Sequence, residues 1–70
     1  MAYYKDKGEM FKERAANEKK SGDRFYAIAM KAKEEGNDEE YKKNMAQAKT
    51  QYKMQKENEK KAKEYKGQAW

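Results

Sequence analysis

The chain contains no Leu, no Val and no Pro, and its single Ile is Ile28. Its apolar residues are Ala, Met, six Tyr, two Phe and Trp70. Alanine buries little area, and Met is flexible and specifies packing weakly. Seventy residues make one domain at most, read here as a single unit over 1–70, and a chain of that size is marginal alone. The expectation is low stability, or stability borrowed from a partner or a second copy.

Charged residues make up 44% of the chain, a level that also suits disorder. The other residues argue against disorder. Ala, Lys, Glu, Met and Gln dominate, and these are strong helix formers. Few residues are β-branched, so strands have little support. The expected class is all-α. There is no Cys, hence no disulfide framework and no thiolate metal site. The absence of His removes the commonest metal ligand and the usual general base near neutral pH. No apolar run approaches the length of a membrane span, and MAYYKDKGEM lacks the apolar core of a signal peptide. A soluble, cytoplasmic protein is expected.

Two steps interrupt the helical pattern, Ser21-Gly22-Asp23 and Gly36-Asn37-Asp38. Each offers Gly to end one helix and a Ser or Asx oxygen to cap the next. Asn37 with Glu40 fits a capping box. Three helices are predicted, at about residues 2–20, 23–35 and 38–66. The first offers Tyr4, Phe11 and Ala15 on one face, with Met10 beside it. The second offers Phe25, Ile28, Ala29 and Ala32, and the third offers Tyr41, Met45, Ala48 and Tyr52. Beyond residue 52 that last stripe meets Gln55 and Glu59, and a rotated one appears at Met54, Ala62, Tyr65 and Ala69. The third helix is therefore expected to dock through about residue 52. Its distal half projects or meets a second copy through Met54, Ala62 and Tyr65. Residues 66–70 read as a disordered tail.

From Phe25 to Ala48 the spacing resembles one tetratricopeptide (TPR) unit, a reading that covers residues 22–52. Phe25 stands at the first aromatic, Ile28 at the Leu and Ala29 at the small residue. Gly36-Asn37 forms the turn, with Met45 and Ala48 at later positions of the second helix. The sequence departs from the pattern at Ala32, where the family has Tyr, and at Tyr41, where it has a small residue. The terminal Pro and a second copy are missing. The resemblance implies a helical hairpin that binds protein segments and has no chemistry of its own. A lone unit needs a cap, and the first helix would supply it.

The acids Glu34, Glu35, Asp38, Glu39 and Glu40 flank the second turn. They lack the spacing of a calcium loop, and Asp38–Glu40 suit the positive end of a helix dipole. This is a helix junction rather than a metal site. No nucleophile triad can be assembled without His or Cys, and the four glycines are isolated from one another. No cofactor is implied, and no enzyme is expected.

Charge is uneven along the chain. Residues 1–41 hold nine Lys/Arg and ten Asp/Glu, whereas residues 42–70 hold nine Lys and three Glu. Lys42, Lys49, Lys53, Lys56, Lys60 and Lys63 fall within a band of about 80° on one helix, over about 30 Å. Such a line of ammonium groups suits a phosphate backbone or an acidic protein surface. It equally suits an ordinary solvated helix face, where Glu39–Lys43, Glu57–Lys61 and Glu59–Lys63 form favourable i, i+4 pairs. Tyrosine is enriched at interfaces. Tyr41 and Tyr52 are expected in the core, while Tyr3, Tyr4, Tyr65 and Trp70 are candidates for an exposed protein-binding patch. The sequence thus reads as a three-helix binding protein with a larger protein partner. Its size and plain composition suit a blocking or adaptor factor of a phage or mobile element. The alternative is a nonspecific nucleic-acid binder that uses the lysine stripe.

Overall fold

The computed structural model describes residues 6–68. They form two long helices, α1 over Lys7–Glu34 and α2 over Asp38–Glu64. The helices lie antiparallel as a flat hairpin measuring 50 × 23 × 11 Å. The all-α class holds, but the three-helix arrangement does not.

The correction falls on Ser21-Gly22-Asp23, which α1 runs straight through. Glycine in a helix interior costs about 1 kcal/mol relative to Ala, which weakens a helix without ending it. Gly22 serves a different purpose, because a Cβ there would stand 2.7 Å from Cε1 of Tyr52. The glycine lets the α2 ring settle on the α1 backbone.

The second turn does end a helix. Gly36 takes a left-handed φ of 77°. Its N–H donates to the Lys33 carbonyl, and the Asn37 N–H donates to the Ala32 carbonyl. This pair of bonds is the Schellman arrangement. The Asn37 side chain then accepts from the Glu40 N–H and caps α2. The reciprocal half of the expected capping box does not form. The Asn37 N–H is already committed to Ala32, and the Glu40 carboxylate accepts from Asn44.

The seam follows an alternating three–four spacing. On α1 it comprises Gly8, Phe11, Ala15, Glu18, Gly22, Phe25, Ala29 and Ala32. On α2 it comprises Tyr41, Asn44, Ala48, Gln51, Gln55, Asn58, Ala62 and Tyr65. Every one of these residues is buried or half-buried. A period of 3.5 residues is that of a coiled coil. The buried apolar residues are Ala15, Ala29, Ala32 and Ala48, and no large side chain is fully buried among the described residues. Gly8, Ala15, Gly22 and Ala29 recur every seventh residue and are all buried. Small residues let the two backbones approach closely, and half-buried rings and amides close the flanks.

The distal half of α2 does not project. Tyr65 stacks on Phe11 with ring centroids 5.4 Å apart. The Asn58 amide donates to Glu18, and a Cβ at Gly8 would meet the Ala62 carbonyl. The seam continues there because Gln51, Gln55 and Asn58 occupy positions where an apolar stripe was sought. At the open end Asp6 ties the two helices together. Its Oδ1 accepts from the Glu9 N–H and its Oδ2 from the Gly67 N–H, while the Lys7 N–H donates to the Gln68 carbonyl.

Candidate basic docking face

The seam fixes which side of the hairpin each exposed residue occupies. On α2, Lys42, Lys49, Lys56 and Lys63 each follow a seam residue by one position. On α1, Lys12, Lys19, Tyr26 and Lys33 do the same, at every seventh residue. All eight are exposed. In an antiparallel pair with this spacing, both rows fall on the same broad face. The side chains agree, since Lys12 and Lys19 of α1 share an open hollow with Lys63 of α2, floored by Ala15, Ala16 and Ala62. Near the turn, the Lys33 ammonium stands 5.6 Å from the centre of the Tyr41 ring on α2. Lys53 and Lys60, also exposed, carry the α2 row round to the outer edge.

The stripe Lys42, Lys49, Lys53, Lys56, Lys60 and Lys63 is therefore fully exposed, and α1 widens it into a face. The α1 lysines were missed because their row is read only once the seam register is known. A search for a break at Gly22 divides that row between two helices.

Aromatic residues sit in the middle of this face. The half-buried Tyr52 lies over Gly22, and its hydroxyl donates to Asp23 Oδ1 at 2.6 Å. That hydrogen bond, helped by burial and by the negative charge of Asp23, raises the Tyr52 pKa above its usual value. The phenol is therefore neutral at physiological pH. Lys49, Lys53 and Lys56 line one open hollow with it. Tyr26 lies one helical turn beyond Asp23 and leaves 45% of its surface exposed. The face also carries two acids that keep their charge while accepting hydrogen bonds from neutral donors. Asp23 accepts from Tyr52, and Glu59 accepts from Gln55.

The opposite side carries basic groups that stand over rings, as Lys33 does on this face. Arg14 and Lys61 both stand over Phe11, at 5.4 and 5.6 Å, and Lys7 stands over Tyr65 at 5.9 Å. Lys61, expected beside Glu57, thus has an aromatic neighbour.

Of the candidate protein-binding residues, Tyr3, Tyr4 and Trp70 lie outside the described residues. Tyr65 is half-buried against Phe11. Of the residues considered for self-association, Ala62 and Tyr65 face α1, and Met54 is 42% exposed. Among the described residues no group of three His, Cys, Asp or Glu is placed to hold a metal ion. No helix among them is long and apolar enough to cross a membrane.

Fold and face together define an antiparallel helical hairpin with one lysine-rich broad side. No protein family, curated protein or solved structure matches the chain. The tetratricopeptide-like reading of residues 22–52 accordingly rests on spacing alone.

Proposed function

We propose that this protein is a small, non-enzymatic binding protein whose working surface is the lysine face, and that its partner is a nucleic-acid backbone bound without sequence reading. The observation that carries the proposal is the alignment of Lys12, Lys19 and Lys33 of α1 with Lys42, Lys49, Lys56 and Lys63 of α2 on one flat side. Two rows of ammonium groups about 30 Å long offer many phosphate contacts, and each contact releases counterions. Lysine is a point charge that holds phosphate without reading base edges, a task that favours Arg, Asn and Gln. Arg14 is turned to Phe11 on the other side.

An acidic protein surface is the other partner class that lysines fit. The protein-partner reading drew on Tyr3, Tyr4, Tyr65 and Trp70, and the described part of that set, Tyr65, is engaged within the hairpin. The nucleic-acid reading therefore has more support among the described residues.

The test is a titration of labelled duplex and single strands at low and moderate salt. Affinity is expected to fall steeply as salt rises. Replacing Lys49, Lys53, Lys56 and Lys60 with Gln is expected to abolish binding while helicity is retained. Failure to bind either polynucleotide at low salt removes this reading.

A further inference from the structure

Resting on that reading, we propose that the lysine face is built for single-stranded nucleic acid, with Tyr26 as the platform on which a base stacks. The α1 row of the face runs Lys12, Lys19, Tyr26, Lys33 at intervals of seven residues. Tyr26 thus occupies a lysine position, about 10 Å along the helix from a lysine on either side. It is one of the three most exposed large hydrophobic residues among those described. The seam does not need its ring, because Phe25 beside it already fills the seam position.

A duplex keeps its bases stacked inside and presents phosphates and groove edges. A half-exposed tyrosine ring on a basic face has no base plane to meet there. A single strand has unstacked bases, and an exposed ring flanked by lysines fits its alternation of base and phosphate. Tyr52 lies close to Tyr26 on the same face. Its hydroxyl is held by Asp23, and Lys49, Lys53 and Lys56 share an open hollow with it. The centre of the face therefore sets two aromatic rings beside the Asp23 carboxylate, and basic groups extend from it in both directions. Stacking tolerates any base, so the inference entails no sequence preference beyond stacking strength.

The experiment compares a labelled oligo-thymidylate, a duplex of equal length and poly-glutamate against the full chain at one low salt concentration. The proteins compared are the parent, Tyr26→Ala and Tyr26→Phe, with helicity checked by circular dichroism. The single strand is expected to bind several-fold more tightly than the duplex. Tyr26→Ala is expected to weaken single-strand binding about tenfold, within the range of one base–ring stack. It should leave duplex binding unchanged, and Tyr26→Phe should behave as the parent. Duplex binding equal to or tighter than single-strand binding overturns this inference while leaving the nucleic-acid reading standing. So does unchanged single-strand affinity in Tyr26→Ala. Poly-glutamate binding with neither polynucleotide bound overturns both and assigns the face to an acidic protein.

Discussion

Gly22 and Tyr52 are in contact across the seam, with the aromatic ring resting where any side chain at position 22 would have to be. A Cβ there would stand 2.7 Å from Cε1 and 2.9 Å from Cδ1 of that ring. Two opposed effects decide the outcome of Gly22→Ala. Alanine gains about 1 kcal/mol in helix propensity. Overpacking a close contact costs about 1–3 kcal/mol, and the ring is anchored at its far end by Asp23. A net loss of about 1 kcal/mol is expected in urea unfolding. Gly22→Ala combined with Tyr52→Ala should be less destabilising than the sum of the single changes, because the second removes the clash. Additive losses would show that the ring does not press on position 22.

Tyr52 also gives the fold a pH dependence with a definite sign. Its folded pKa lies above the unfolded value, chiefly because the protonated hydroxyl donates to Asp23. The stabilisation is therefore fully present below the unfolded pKa of about 10 and is lost as pH rises through the folded pKa. The informative quantity is a difference between two proteins. The stability gap between the parent and Tyr52→Phe should be constant from pH 7 to 9 and narrow above pH 10. A gap that widens with alkaline pH would contradict the hydrogen bond.

The helical class was legible in composition, and the Gly36-Asn37 turn was legible in its residues. The break at Gly22 was not, because glycine signals two different events. At Gly36 it allows a positive φ, whereas at Gly22 it allows close approach, and only the facing Tyr52 separates the two. The α2 seam was obscured for a related reason. A search for apolar residues follows Met45 and Tyr52, which flank the contact, and passes over Asn44, Gln51, Gln55 and Asn58, which form it. Half of the basic face was visible as the α2 lysine stripe, since its spacing is local to one helix. The contribution of Lys12, Lys19 and Lys33 depends on register between helices, which local spacing does not contain.

Asp6 clasps the open end of the hairpin with both carboxylate oxygens, one on α1 and one on the segment after α2. Loss of a helix N-cap costs about 1 kcal/mol, and here the cross-link to Gly67 is lost with it. Asp6→Ala is expected to lower stability by about 1–2 kcal/mol. Amide exchange should accelerate together at Glu9 and Gly67, the two donors. Faster exchange at Glu9 alone would mean that the bond to Gly67 holds nothing.

The polar seam makes the last prediction. Gln51 and Gln55 are half-buried between the helices at positions that coiled coils ordinarily fill with apolar residues. Polar groups at such positions lower stability and fix register and partner number. Gln55→Leu is expected to raise stability by about 1 kcal/mol through added apolar burial. Gln51→Leu together with Gln55→Leu should raise it further and also loosen specificity. A leucine pair beside Ala48 and Ala62 favours any arrangement that buries it, including two hairpins packed together. Sedimentation across a concentration range should then show stronger association than in the parent. Asn58 is a different case, since its amide holds the Glu18 carboxylate across the seam. Asn58→Leu strands that half-buried carboxylate, so it should gain less than Gln55→Leu or lose stability outright. An equal gain at positions 55 and 58 would show that the Glu18–Asn58 bond contributes nothing to the fold.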